Sequence, residues 1–311
     1  MKKTREMEFN SKKKIKRCRE DVIYDTVIFI ILTLILFIVA YPLWWVIISS
    51  ISDPAAVSAG KVLWRPIGFT LKGYAEVFKD ELVMNGFVNS IIYTFCGVLV
   101  NLAVTLPTAY ALSRSKFGGK KVITLFYMVT MFFSGGMIPT YLVVRNMHML
   151  NTMWALILPG CLSVYNMIVA RTFFQTNISE ELYEAAEIDG CTQGRFFFAI
   201  ALPLSAAITA ILVLYYGVGH WNSYFSALLY ISDQNKYPLQ LVLRNILITN
   251  QNALAQAATT AEARAALREK QQLLDLMKYS LIIISSVPVL ILYPFIQKHF
   301  VKGVMIGSVK G

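Results

Sequence analysis

The sequence predicts an all-α polytopic membrane protein with six transmembrane helices, and three observations carry that expectation. The 311 residues are 56% hydrophobic and only 15% charged, with mean hydropathy +0.56. A soluble domain of this length has too little interior to hide so much apolar side chain. The apolar residues also fall into runs that approach or exceed the ~20 needed to cross a bilayer as helix. Finally, the formal charge of +11 is concentrated before and between those runs.

The first element is a basic tail, 1–21, in which Lys2, Lys3, Arg5, Lys12, Lys13, Lys14, Lys16, Arg17 and Arg19 precede any apolar run. This is the positive-inside signal that orients a first span, with attraction to anionic lipid in addition. It is preferred here to a nucleic-acid-binding arm. The apolar run 22–51 is longer than the ~7–15 residues of a signal-peptide core and no cleavage site closes it, so it is expected to be a retained span.

Spans are expected near 22–50, 85–112, 122–144, 153–174, 199–230 and 276–297, within a membrane domain of 22–297. A tail, 298–311, follows. An even number of spans puts both ends of the chain on one side. Arg114, Lys116, Lys120 and Lys121 in a short loop, Arg171 and Arg195, and Lys298, Lys302 and Lys310 share that side. Opposite them, Lys61, Arg65, Lys72 and Lys79 are accompanied by Asp53, Glu76, Asp80 and Glu81. Short loops weigh most, so both termini and the segment 175–203 are expected in the cytoplasm, with the loop 231–275 outside. From that loop into the last span, 250–278 is rich in helix formers, suited either to docking an external partner or to serving as a solvated connector. Cys18, Cys96, Cys161 and Cys191 all fall outside the external segments, so no disulfide is expected.

Pro42, Pro107, Pro139, Pro159, Pro203, Pro288 and Pro294 stand in or at the ends of spans. Bent helices suit a moving pathway, although proline is common in membrane helices generally. "FSGGMIPTY" (133–141) reads as close packing or a break near the outer end of the third span.

Several chemistries are missing. No Gly-x-x-x-x-Gly-Lys-Ser/Thr phosphate loop occurs, and "KFGGKK" (116–121) is a basic turn. His148, His220 and His299 lack metal-site spacing, and no serine stands in a nucleophile elbow. Asp25 lies near the expected cytoplasmic mouth, and the middles of spans two to five contain no Asp, Glu, Lys or Arg. Ion-coupled carriers usually place such groups on their path, so uphill transport would draw its energy from elsewhere.

The exception to the apolar pattern is "EAAEIDGCTQGRFFFAIALP" (184–203). Asn177 or Ser179 can cap a helix there, Asn177 with Glu180 at capping-box spacing. Glu180, Glu181 and Glu184 suit its dipole, Gly190 suits a left-handed end, and Thr192 can start a second helix carrying Phe196, Phe197 and Phe198. Glu181, Glu184, Ala185 and Ile188 share a face, and the paired alanines Ala185 and Ala186 would let a partner backbone approach. From the residues alone, a docking knob and an ordinary capped surface helix both remain open.

Glu184-Ala185-Ala186, Asp189-Gly190, Phe196, Ile200 and Leu202-Pro203 resemble, position by position, the EAA loop of permease subunits in bacterial ABC importers. Cys191 departs from the usual alanine, and Ser179 stands where a proline commonly precedes the acidic helix. "GGMIPTYLVV", "WNSYFSALLYI" (221–231), "YPLQLVLRNIL" (237–247) and the ending "YPFIQKHFVKGVMIGSVKG" are similar to MalG-type carbohydrate permeases for oligosaccharide or polysaccharide fragments. The resemblance implies the six-span type I importer permease fold in the bacterial cell membrane. It implies an ATPase-docking site at Glu184, Ala185, Ala186, Ile188, Asp189, Gly190, Phe196 and Pro203. It also implies a second, related permease as heterodimer partner, two cytoplasmic ATPase subunits holding ATP-Mg, an extracellular binding protein and a sugar substrate. This chain would itself bind no cofactor, catalyse no reaction, and contact lipid but no nucleic acid.

Tyr215, Tyr216, Trp221, Asn222 and Tyr224 are the candidate substrate-path residues, because rings stack on sugar CH faces and amides bond hydroxyls. Each could instead serve an interfacial belt or helix packing. Rival functions are an ATP-independent facilitator, which needs no docking loop, and an ABC permease for a non-sugar solute, which only the 221–231 segment and the tail resemblance disfavour. A membrane enzyme would need a catalytic constellation.

Overall fold

In the computed structural model the described residues are 19–253, 274–292 and 294, with side chains described outside 249–253. They form helices and connecting turns, with no strand among them. The expectations for most of the basic tail, for most of 250–278 and for the C-terminal tail lie outside the described residues.

Helix α1 (Arg19–Ser50) opens with Glu20 and Asp21 at its positive dipole end and buries only Ile48, Ser49 and Ser50 at the other. There Trp44 and Trp45 donate their indole N–H groups to the carbonyls of Trp64 (3.1 Å) and Val62 (2.8 Å). These bonds tie down the return segment that carries α2 (Pro54–Ser58) and α3 (Lys72–Lys79).

The spine is α4 (Glu81–Ser113), capped by Asp80, whose carboxylate accepts the N–H groups of Leu82 and Val83. Its buried residues include Gly86, Ser90, Tyr93, Gly97, Asn101 and Thr105, recurring every three or four positions. That spacing makes one face of small and polar residues, against which other helices approach closely. Helices α8 (Val164–Asn177), α12 (Ala206–Trp221) and α14 (Leu239–Ala253) pack against α4.

By length and composition, α1, α4 and the last helix, Leu274–Leu292, are each able to cross a membrane. The other three expected spans are broken. α5 (Lys120–Phe132) meets α6 (Met137–Asn146) at 112°. α7 (Trp154–Ile157), extended by a 3₁₀ turn to Gly160, meets α8 at 55°. The stretch Gln193–Leu204, comprising α10 (Gln193–Phe196), a π-helical turn (Phe197–Ala201) and α11 (Leu202–Leu204), meets α12 at 80°. α9 (Glu180–Ile188) lies between α8 and α10, and α13 (Phe225–Tyr230) follows α12.

Breaking a helix frees carbonyls that must find donors away from water. At the α7–α8 break, Asn101 supplies them: its Nδ2 donates to the carbonyls of Gly160 (3.1 Å) and Cys161 (2.8 Å). Its Oδ1 stands 2.6 Å from His220 Nε2 on α12. One turn further on, Thr105 Oγ1 and Tyr216 Oη are 2.7 Å apart, and Tyr216 Oη accepts the Ser163 N–H at 3.3 Å. Two polar layers thus lock α4, α8 and α12 around the break.

Candidate functional site

Helix α9 is built and closed by its own sequence. Of the two capping candidates Ser179 serves, its Oγ accepting the Leu182 N–H at 3.4 Å. Asn177 ends α8 instead, donating to the Phe173 carbonyl at 3.1 Å. At the other end the Gly190 N–H reaches the Glu187 carbonyl (3.0 Å) and the Cys191 N–H reaches that of Ala186 (2.9 Å). This double closure is the Schellman motif, and it holds Gly190 at φ 76°, where glycine carries no penalty. Thr192 then caps α10, accepting the Arg195 N–H at 3.4 Å.

The two faces of α9 differ sharply. Inward, buried Tyr183 meets Phe196 edge-on with ring centroids 5.3 Å apart, and the Arg114 guanidinium lies 4.1 Å above the Tyr183 ring centroid. Arg114 Nη2 stands 3.1 Å from Glu180 Oε2, a close ion pair although off the line of a hydrogen bond. Lys116 Nζ donates to Glu187 Oε2 at 2.9 Å. That hydrogen bond first, and the Glu187 charge second, raise the Lys116 amine above its ordinary value. Arg171 Nε donates to the Leu112 carbonyl at 3.1 Å, joining α8 to the same end of α4.

Outward, Glu181, Glu184, Ala185, Ile188, Asp189 and Gly190 are exposed together. Ile188 is 86% exposed, at the tip of a helix whose other outward side chains are mostly acidic.

The structure divides the expected docking residues. Glu184, Ala185, Ile188, Asp189 and Gly190 form one open surface. Ala186 packs half-buried against the core cluster, so only Ala185 of the alanine pair is open to a partner backbone. Phe196 is fully buried under Tyr110 and Tyr183, so it supports the helix rather than facing outward. Pro203 is exposed within α11, at the 80° bend. The seat itself, Arg114, Lys116 and Tyr183, is absent from the expected set. In the sequence Arg114 and Lys116 are only topogenic cations. The signal that could have exposed the seat is the spacing of Glu180, Tyr183 and Glu187, which places them on one face of the helix, turned away from Ile188.

The five candidate path residues also separate. Tyr216 is held in the polar layer described above, and buried Trp221 donates its indole N–H to the Ser285 carbonyl at 2.9 Å. Both are turned into the core. Tyr215, Asn222 and Tyr224 remain exposed, with Asn222 Oδ1 accepting from Gln240 Nε2 at 3.5 Å. Among the described residues, no group of three or more His, Cys, Asp or Glu could hold a metal ion.

No family model matches the chain. It is 37% identical over 289 residues to the polygalacturonan/rhamnogalacturonan transport system permease protein YtcP of Bacillus subtilis (strain 168), covering 93% of this chain and 99% of that protein. It is 40% identical over 270 residues to Protein LplC of the same strain, covering 87% and 89%. Among solved structures, a chain from a bacterial ABC transporter involved in the import of the acidic polysaccharide alginate superposes with a TM-score of 0.82 at 29% identity. That match spans 91% of this chain and 99% of the other.

Proposed function

We infer the function from one premise: this chain belongs to the family of carbohydrate permease subunits of bacterial ABC importers. It is a multi-pass transmembrane transport subunit, not itself an enzyme. Beyond that, α9 is the knob through which a cytoplasmic ATPase drives it, and the observation that carries this reading is the open face of Glu184, Ala185 and Ile188 on a helix anchored only from behind. The solute is an oligosaccharide or polysaccharide fragment, as the names of the polygalacturonan/rhamnogalacturonan permease and the alginate importer support. The chain forms half of the pathway with a second, related permease, and an extracellular binding protein delivers the sugar.

The mechanism follows from the seat. ATP-Mg bound by two partner subunits supplies the energy. A push on α9 reaches the end of α4 through Arg114 and Lys116, and reaches α10 through the Tyr183–Phe196 contact. α10 leads through the π-helical turn into the 80° bend before α12. π-turns and proline breaks are places where a helix accommodates movement. A displacement of the knob therefore becomes a change in angle between α11 and α12, beside the pathway.

The test is purification of the tagged chain from native membranes in mild detergent. An ATPase and a second permease should accompany the wild type. Ile188→Asp, which alters one exposed side chain, should keep the permease partner and lose the ATPase. If the folded wild-type chain comes down alone, the docking reading fails and the protein is to be tested as a facilitator.

A further inference from the structure

The segment that follows α1 does not run straight into solvent; it folds back along the helix. Trp44 and Trp45 hold the carbonyls of Trp64 and Val62, and the Trp64 ring packs on that of Tyr41 with centroids 4.8 Å apart. Tyr41 and Trp44 precede the end of α1 at Ser50 by several residues, so at 1.5 Å per residue the loop returns by roughly 9–14 Å along the axis. From Thr26 to Ser50 α1 carries no charged side chain, and no residue from Thr26 to Ile47 is buried. A span of ~20 residues that begins at Thr26 ends near Trp45, and tryptophan and tyrosine gather at such a bilayer–water boundary. The loop is therefore carried down to the depth at which α1 itself leaves the hydrocarbon.

We propose that the loop from Lys61 to Phe69 is an interfacial anchor, seated in the headgroup layer of the bilayer face at which α1 ends. Its partner is lipid. Leu63, Trp64, Ile67 and Phe69 are all exposed, Trp64 at 63% and Phe69 at 71%. At that depth such side chains reach the boundary between headgroups and acyl chains. Lys61 and Arg65 are exposed among them, and between Asp53 and Glu76 the sequence holds three cations and no acid. That is the sign of charge which lipid phosphates attract. The backbone agrees, because polar groups taken out of water need partners within the protein. The carbonyls of Val62 and Trp64 have the two indoles, and Pro66 has no N–H to satisfy. The Ile67 N–H donates to Ser52 Oγ at 3.3 Å, and the Ile67 carbonyl accepts the Asp53 N–H at 2.8 Å.

Val62 is buried in one cluster with Ile48 and Tyr279, and Trp45 meets the ring of Tyr279, on the last helix, edge-on at 5.2 Å. The anchor therefore fixes the depth of α1 and of the last helix together. The proposal rests on α1 crossing the membrane, and neither on the docking reading nor on which face is cytoplasmic.

The experiment uses the assembled importer, in a cysteine-free background, in nanodiscs containing phosphatidylglycerol. A spin label is attached at Leu63→Cys or at Phe69→Cys. Both side chains are exposed, so neither substitution should change the melting temperature. Collisions of the label with oxygen, which concentrates in lipid, are compared with collisions with a water-soluble nickel chelate. Ser58→Cys is the reference in water, and Leu36→Cys, midway along the apolar part of α1, is the reference in lipid. The oxygen-to-chelate ratio at both loop sites should lie several-fold above that at Ser58→Cys and approach that at Leu36→Cys. A ratio equal to that at Ser58→Cys puts the loop in water and overturns the proposal. Few collisions with either reagent, at both loop sites, show that protein covers the loop and overturn it in favour of another subunit. Adding Arg65→Glu to the labelled Leu63→Cys chain should lower the ratio, because anionic headgroups then repel the loop. An unchanged ratio there overturns the headgroup contact.

Discussion

At the scale of single residues, two glycines carry different constraints. Gly190 has open space around it: a Cβ there would meet nothing within 4 Å. Its constraint is the backbone, φ 76°, which costs an L side chain roughly 1–2 kcal/mol and a β-branched one more. Gly190→Val should therefore leave yield and melting temperature near wild type while fraying the end of α9. Sugar uptake should fall steeply, with Gly190→Asn milder because asparagine tolerates that conformation. Normal uptake in the valine variant would separate α9 from coupling. Gly97 is the opposite case. A Cβ there would stand 2.4–2.7 Å from the His220 ring, so the ring must move and its contact with Asn101 must break. Overpacking of this kind costs about 1–3 kcal/mol. Gly97→Ala should lower the melting temperature, and His220→Ala in the same chain should restore part of it, because the two sites are coupled. Simple additivity of the two losses would refute the steric account.

At the scale of elements, Tyr216 and Trp221 belong to the scaffold, whereas Tyr215 and Tyr224 present open rings. Tyr216→Phe strands Thr105 Oγ1 and the Ser163 N–H, so it should reduce stability with little change in the KM for sugar. Tyr224→Ala should do the reverse, raising KM in a transport assay while the protein melts normally. Equal effects on KM would return all four rings to one class. The same elements mark what was legible in the sequence. Hydropathy located the apolar stretches of three single helices able to cross a membrane and of three bent pairs, because a run of about 20 apolar residues is what a bilayer-spanning helix requires. It could not place the bends. The run 122–144 stays apolar through Phe133, although the helix stops there and resumes after Gly136 at φ 90°. The break before α8 depends on Asn101, some sixty residues away, which supplies the donors. Helix α9 was legible because caps, acids and glycine act locally. Its seat was not, since Arg114 and Glu180 meet only in the folded chain.

At the scale of the whole molecule, sidedness decides whether the proposed coupling is physically available. α1 and α4 are each long enough to cross a bilayer, and the proposed topology puts Ser58, between them, and α9, beyond the far end of α4, on opposite faces. The short loop carrying Arg114, Lys116, Lys120 and Lys121 touches α9, and its charge bias is the ground for proposing that this end lies in the cytoplasm. In a cysteine-free background, Ser58→Cys should react with a membrane-impermeant maleimide in intact cells. Ile188→Cys should react only after permeabilisation. Its labelling should then slow when the ATPase is present and return when the ATPase is stripped away, since both partners would bury the same side chain. Protection without sidedness would point to burial within the membrane domain instead. The inverted pattern, with Ile188→Cys labelled in intact cells, would put α9 where no ATP-hydrolysing partner can reach it. The acidic face and its exposed isoleucine would then have to be explained by an external partner.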